Sequence, residues 1–232
     1  MIDLVGVDAD DTLWDEASAF TAAESRFVEA VTGWSGDCDI RGKLRRLHFS
    51  LIDELGYGPS GYRSALNRFC ASHVPERFRP DAVELARAIC DDLETAVITP
   101  LPGVDKALDR LSRRFRLLLL SKGDDRHQRR KLEASGLGWA FADVLIVREK
   151  TAATYRTAFA GASAAMIGNS LKSDILPALE AGAMGLHVPY FHTSPLEHAK
   201  APVGHDRFRQ FSSLQDAADW LCAYSSGTPA RR

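Results

Sequence analysis

Residues 2–14 of this chain of 232 residues are IDLVGVDADDTLW, and this stretch decides the fold class. Its first six residues form a short run rich in branched apolar side chains, which predicts a buried β-strand over residues 2–7. Asp8 and Asp10 follow at the point where that strand ends. In an open parallel sheet, ligands bind beyond the carboxyl ends of the strands, so both carboxylates are candidate functional groups.

Four more strand patterns occur after residue 97, and helical patterns separate them. Strands that alternate with helices of this length predict a parallel sheet with right-handed crossovers. The predicted strands span residues 115–121, 143–147, 164–168 and 184–188, and the predicted helices span residues 104–113, 125–135, 152–160 and 174–181.

Residues 15–95 interrupt this alternation, because they contain only helical patterns. The expected helices cover residues 15–32, 40–55, about 61–72 and 81–95. The predicted fold class is therefore α/β, with a parallel-sheet core and an inserted all-helical domain. We expect the core to comprise residues 1–14 and 96–224, the insert residues 15–95, and a disordered tail residues 225–232.

The composition excludes some partners. Lys and Arg number 29 against 31 Asp and Glu, a balance that does not favour nucleic-acid binding through bulk charge. No apolar stretch approaches the roughly 20 residues of a membrane span, and the first residues lack the pattern of a signal peptide. Four cysteines without metal-site spacing indicate reduced thiols, so we expect a cytoplasmic protein.

Polar residues follow the predicted strands at the edge where their carboxyl ends meet. Converging carboxylates repel one another, and a hard cation with oxygen ligands, Mg²⁺ above all, offsets that repulsion. A hydroxyl group and a lysine suit a phosphate. Together these groups suggest phosphoryl transfer through an aspartyl-phosphate. The candidate residues are Asp8, Asp10, Ser121, Lys122, Lys150, Asn169 and Asp174.

Four segments in this order resemble the motifs of the haloacid dehalogenase (HAD) superfamily of hydrolases: DADDTLW, LLLLSKGD, VREK and IGNSLKSDILPALEAG. The resemblance covers roughly residues 1–14 and 97–200, and residues 15–95 match the cap insertion of the family. It implies a Rossmann-like core, and Mg²⁺-dependent hydrolysis of phosphate monoesters. DDTLW and SKGDDRHQRRKLEASGL resemble the phosphatase-type members.

The resemblance assigns roles to the acidic residues. Asp8 would be the nucleophile and a metal ligand. Asp10 would be the general acid and base, and its backbone carbonyl would bind the metal. Asp174 would be the second acidic metal ligand. The family commonly has aspartate where this chain has Asn169, which keeps an oxygen for the metal or its water but removes one negative charge.

The resemblance also assigns the phosphate-binding groups. The Ser121 hydroxyl and the backbone N–H of Lys122 would hold phosphate oxygens, and Lys150 would offset the charge of the nucleophile and the phosphate. The basic run over residues 126–131 is expected to be a solvated helix face rather than a nucleic-acid patch.

The predicted function is that of a Mg²⁺-dependent phosphatase acting on a small phosphorylated metabolite, without a nucleic-acid or membrane partner. One alternative is a 2-haloacid dehalogenase; Asp10 argues against it, because displacement of a halide needs no proton donor. The other is a non-catalytic binding protein that kept the fold, for which Asn169 is the sequence support. No oligomeric state is predicted.

Overall fold

The computed structural model describes residues 2–192, 194 and 197–227. A six-stranded sheet forms the centre of the α/β part, with the order β3-β2-β1-β4-β5-β6, and every strand pair in it is parallel. The predicted parallel sheet is thus confirmed. The strands are β1 Leu4–Val7, β2 Arg116–Lys122, β3 Asp143–Val147, β4 Ala164–Gly168, β5 Met184–His187 and β6 Phe208–Gln210.

Nine α-helices lie within the described residues, and a π-helical turn over Leu171–Ile175 precedes the eighth. The chain divides into two compact units, one formed by Met1–Ala17 and Ile98–Arg232 and the other by Ser18–Val97. The helices are α1 Ala17–Ser35, α2 Ile40–Leu55, α3 Pro59–His73, α4 Arg79–Thr95, α5 Val104–Ser112, α6 Asp125–Ser135, α7 Ala152–Phe159, α8 Leu176–Glu180 and α9 Leu214–Ser225.

The sheet is buried on both faces. Successive side chains of a strand point to opposite faces, so the apolar run in β2 supplies both. Leu117 and Leu119 join the apolar cluster on one face, and Leu118 and Leu120 join the cluster on the other. This packing keeps water from the sheet and leaves the strand ends as the place where polar groups can gather.

The helical unit has an apolar core of its own. On α1, Ala23, Phe27 and Val31 recur every fourth residue and form one buried stripe. The ring of Phe27 meets that of Phe69 on α3 edge to face, with 6.1 Å between the ring centres. None of the helices in the described part of the chain is long and apolar enough to cross a bilayer.

Two local expectations need correction, and two elements were not predicted. The first strand begins at Leu4 rather than at residue 2. The helix expected over residues 174–181 is a π-helical turn followed by the short α8, where Pro177 supplies no backbone N–H at the first turn. Neither β6 nor α9 was predicted, although Ser213, which caps α9 by accepting a hydrogen bond from the backbone N–H of Asp216, is a recognisable helix start.

The expected disordered tail begins at Ser225, which the structure places as the last residue of α9. A turn over residues 226–227 follows the helix. The remaining residues of that expected tail, 228–232, lie outside the described residues.

Candidate active site

The α/β unit gathers the candidate residues at the carboxyl edge of its sheet. The chain order of the strands reverses at β1, which lies between β2 and β4, and such a switch point opens a crevice. Asp8 follows β1, and its backbone N–H donates to the carbonyl of Ile167 in β4 at 2.9 Å. Ser121 lies near the end of β2.

Lys150 joins two buried carboxylates. Its ammonium group lies 2.5 Å from Oδ1 of Asp8 and 2.7 Å from Oδ1 of Asp174. Thr12 donates to the other oxygen of Asp8 at 3.1 Å. Two carboxylates therefore share one ammonium group, and the cluster carries an excess negative charge when both are ionised.

The electrostatics of this cluster follow from its burial. Burial and the charge of Asp174 raise the pKa of Asp8 to about 7, although Lys150 acts in the opposite direction. Burial alone would lower the pKa of Lys150, but the charges of Asp174 and Asp8 hold it above its ordinary value. Lys150 is therefore held as a cation between the two acids.

The first turn after β4 holds Asp174. The backbone N–H of Ser170 donates to Oδ2 of Asp174 at 2.9 Å, and the backbone N–H of Asp174 donates back to the carbonyl of Ser170. The Ser170 hydroxyl accepts the backbone N–H of Ser173 at 2.9 Å. The π-helical turn thus fixes a fully buried acid five residues beyond Asn169.

Asp10 lies in a second network. Its Oδ1 accepts hydrogen bonds from Lys131 Nζ at 2.6 Å and from Trp14 Nε1 at 2.7 Å, and its Oδ2 accepts one from Gln128 Nε2 at 2.7 Å. Burial would raise the pKa of Asp10, but Lys131 and the other donors lower it below its ordinary value. Asp8 and Asp10 are thus carboxylates in different environments.

The basic run over residues 126–131 is not a uniformly solvated face, so that expectation was wrong for its last member. Arg126 and Arg129 are exposed, but Lys131 is 1% exposed and pairs with Asp10 and Glu16. Its side chain lies one helical turn beyond Gln128, which is also buried. The sequence analysis missed both residues; their spacing of three on α6 was the available signal.

The groups expected to hold phosphate have distinct surroundings. Ser121 is buried, and its hydroxyl oxygen accepts a hydrogen bond from Gln128 at 2.9 Å. The ammonium group of Lys122 donates to Oε1 of Glu197 at 2.6 Å and to Ser173 Oγ at 3.2 Å. The side chain of Lys122 is thus committed elsewhere, which leaves its backbone N–H as the group proposed for phosphate.

Glu197 was also missed. Its Oε2 accepts a hydrogen bond from Ser170 Oγ at 2.6 Å and another from Ser173 Oγ. Burial would raise the pKa of Glu197, but Lys122 and these hydroxyl groups lower it to about 2. Nothing in the sequence marks this residue, since it lies in a segment without regular pattern, far from its partners along the chain.

The residues present fit a Mg²⁺ ion. Asp8 and Asp174 offer carboxylate oxygens, the donors that this ion prefers. The side chain of Asn169 is buried and makes no hydrogen bond within the described residues, so its oxygen is free to bind the metal or its water. The set has only two acidic side chains, in keeping with the finding that the described part of the chain has no group of three or more His, Cys, Asp or Glu side chains that could hold a metal. The carboxylate of Asp10 faces its own network, so this residue could contribute only its backbone carbonyl.

The fold is that of an α/β protein with a parallel sheet and an aspartate pair, Asp8 and Asp10, after the first strand. A haloacid dehalogenase-like family hydrolase from Xanthomonas campestris has a similar structure, with a TM-score of 0.80, 26% sequence identity, and coverage of 97% of this chain and 93% of that chain. The chain belongs to the HAD superfamily of hydrolases, as its motifs indicate.

Two further solved structures share the fold. The 2-haloacid dehalogenase from Pseudomonas syringae is 20% identical, with a TM-score of 0.66 over 97% of this chain and 100% of that chain. The HAD-hydrolase YfnB from Bacillus subtilis, solved bound to magnesium, is 16% identical, with a TM-score of 0.58 over 95% of this chain and 98% of that chain. The chain matches no protein-family model and no curated protein sequence.

Proposed function

We propose that this protein is a Mg²⁺-dependent phosphatase that hydrolyses a small phosphorylated metabolite through an aspartyl-phosphate. One observation carries the proposal. A second carboxylate, Asp10, lies two residues beyond the nucleophile Asp8 and is held in a separate hydrogen-bond network. Departure of an alcohol needs a proton donor, whereas departure of a halide does not, so this second acid favours phosphate esters as substrates.

In the first step, an oxygen of Asp8 attacks phosphorus and the bond from phosphorus to the ester oxygen breaks. Asp10 enters this step in its protonated form, gives its proton to the departing alcohol and is left as a carboxylate. In the second step, water attacks the same phosphorus and gives a proton to Asp10, and the bond between Asp8 and phosphorus breaks to release inorganic phosphate. Asp10 has regained its proton at the end of the second step, so the protein returns to its starting state.

Three further groups support this chemistry. Lys150 offsets negative charge beside Asp8, from which its ammonium group is 2.5 Å away. The hydroxyl of Ser121 and the backbone N–H of Lys122 are donors for phosphate oxygens. Mg²⁺, when bound by Asp8, Asp174, Asn169 and the carbonyl of Asp10, would offset the charge of the phosphoryl oxygens.

The helical unit, Ser18–Val97, would act as the cap that selects the substrate, since every residue of the proposed mechanism belongs to the α/β unit. We propose that the protein works in the cytoplasm on a soluble small molecule and needs neither nucleic acid nor a membrane.

A panel of phosphate monoesters, assayed with Mg²⁺ and with EDTA, tests the proposal. Phosphate release with Mg²⁺ and its loss with EDTA are the expected results. Dehalogenation is the second candidate, because a 2-haloacid dehalogenase shares the fold. Halide release from 2-chloropropionate, without phosphate release from any ester, would replace the phosphatase with that candidate. If neither product forms, a binding role remains.

A further inference from the structure

One face of α6 contacts the acid/base of the proposed reaction. Gln128 and Lys131 lie one turn apart on this helix, and both side chains are almost fully buried. Lys131 Nζ lies 2.6 Å from Oδ1 of Asp10, and Gln128 Nε2 lies 2.7 Å from Oδ2. Each oxygen of this carboxylate therefore has a partner from the same helix, which fixes its orientation.

The acceptors around Gln128 determine which way its amide group points. Nε2 lies 2.7 Å from a carboxylate oxygen of Asp10 and 2.9 Å from the backbone carbonyl of Lys122. The backbone carbonyl can only accept, and so can the carboxylate of Asp10 when it is ionised, so the NH₂ end of the amide must face them. The same NH₂ group lies 2.9 Å from Ser121 Oγ. Its two hydrogens thus serve three acceptors, and one hydrogen is shared between two of them.

This contact determines what Ser121 can do. A serine hydroxyl has one hydrogen to donate and two lone pairs that accept. Gln128 occupies a lone pair, and no described residue accepts the hydroxyl hydrogen of Ser121. The hydrogen is thus left for a phosphate oxygen.

Gly123 and Glu16 are neighbours of Gln128 and Lys131. A Cβ atom at position 123 would lie 3.2 Å from Gln128 Nε2, and the φ of Gly123, +142°, is one that other residues rarely adopt. Glu16 lies 3.0 Å from Lys131 Nζ. The buried ammonium group therefore has two acidic partners, Asp10 and Glu16, and stays fixed between them.

We propose that Gln128 and Lys131 are positioning residues of the phosphatase: Lys131 orients Asp10 for proton transfer, and Gln128 orients both Asp10 and the phosphate-binding hydroxyl of Ser121. This inference rests on the proposed function and adds two residues to its machinery. Neither residue touches the substrate in this assignment; each acts through the group that it holds.

Three methionine substitutions on α6 test the proposal in the full-length protein. Lys131→Met and Gln128→Met remove the donors and keep a long, unbranched side chain. Arg129→Met is the matched control, because Arg129 is exposed on the same helix and pairs only with Asp125 in the described residues. Thermal unfolding shows which variants fold, and Lys131→Gln replaces Lys131→Met if the latter does not.

The kinetic comparison uses benzyl phosphate, which has a poor leaving group, and 4-nitrophenyl phosphate, which has a good one. A good leaving group needs little protonation, so the difference in kcat/KM between the two esters isolates the dependence on Asp10. In Lys131→Met, kcat/KM for benzyl phosphate should fall about 10- to 100-fold more than for 4-nitrophenyl phosphate, the loss usual when a supporting partner is removed. Equal losses for the two esters, or no loss, would overturn the role of Lys131.

Gln128→Met should show the same selective loss and a second loss common to both esters, because Ser121 is no longer held. Inhibition by inorganic phosphate should weaken in Gln128→Met and stay unchanged in Lys131→Met. Phosphate inhibition that is equal in the two variants would overturn the role of Gln128 toward Ser121. Arg129→Met should match the unaltered protein in every assay.

A measurement without turnover separates this inference from the proposed function. The indole N–H of Trp14 donates to Asp10 at 2.7 Å, so its NMR resonance reports the position of that carboxylate. The chain has four tryptophans, and Trp14→Phe identifies the signal. The resonance should move in Gln128→Met and not in Arg129→Met. If the protein hydrolyses neither ester, the phosphatase proposal fails by itself; if the resonance does not move, the positioning of Asp10 by α6 fails.

Discussion

A Cβ atom at Gly168 would lie only 2.3 Å from Oδ2 of Asp174, far inside van der Waals contact. Gly168 is the last residue of β4, and Asp174 lies in the π-helical turn that follows it. The carboxylate therefore lies directly against the backbone at position 168. Because Asp174 also accepts a hydrogen bond from Lys150, the absence of a side chain at Gly168 supports the charge arrangement around Asp8.

Gly168→Ala should displace Asp174 and lower both activity and stability. A methyl group forced into a packed site usually costs about 1 to 3 kcal/mol of unfolding free energy. Urea unfolding and Mg²⁺-dependent phosphatase assays measure the two effects. Gly138→Ala is the control, because a Cβ atom there meets no atom within 4 Å. Unchanged activity and stability in Gly168→Ala would contradict this account of the turn.

Asp8→Asn should remove turnover while the protein stays folded. An amide cannot form the acyl phosphate, so the loss is expected to reach several orders of magnitude. The amide oxygen can still accept the hydrogen bond from Lys150, and the NH₂ group that replaces the other oxygen can donate to the hydroxyl oxygen of Thr12. Circular dichroism checks that the variant is folded, and phosphate release measures its turnover. Substantial hydrolysis by this variant would show that another group is the nucleophile.

Asn169→Asp should tighten Mg²⁺ binding, because it adds a negative charge beside a cation site without changing the side-chain shape. An increase in affinity of about tenfold is the order usual for a change in the outer shell of a metal. Asp174→Asn should weaken binding by more, since it removes a charge from the inner shell. Activity titrated against Mg²⁺ gives the order. If Asn169→Asp and Asn169→Ala both leave the Mg²⁺ dependence unchanged, this residue is not near the metal.

Glu197 should stabilise the fold in a pH-dependent manner. Its pKa is about 2 in the folded protein against an ordinary value of 4.5. The stabilisation is therefore present above about pH 4.5 and is lost as the pH falls toward about 2. Glu197→Gln should unfold more easily than the unaltered protein at neutral pH, by about 1 to 3 kcal/mol, because it loses a charged partner of Lys122.

Urea unfolding across this pH range checks the sign of the effect. The difference between Glu197→Gln and the unaltered protein should shrink as the pH falls. Glu133→Gln, on the exposed side of α6, controls for the loss of a glutamate. A difference that is constant with pH would mean that the ionised carboxylate of Glu197 does not supply the stabilisation.

Local patterns in the sequence were sufficient to predict the strands that precede Asp8 and Asn169 and the strand that contains Ser121. A buried strand needs a continuous apolar run, and this requirement is visible in neighbouring residues. Strand β6 was missed because its three residues, two of them exposed, carry no such pattern. The π-helical turn was missed because its backbone hydrogen bond, from the N–H of Ile175 to the carbonyl of Ser170, spans five residues, and helical periodicity does not report that spacing.

The sequence by itself determined the class of fold and the residues at the strand ends, because an apolar run and the polar residue after it are adjacent in the chain. Only the tertiary structure decided how those residues are held. Lys131 contacts Asp10 across 121 positions of sequence, Gln128 contacts it across 118, and Glu197 contacts Lys122 across 75. Such partners are set by where α6 and Glu197 lie in the folded chain, and short-range periodicity carries no information about contacts at that separation.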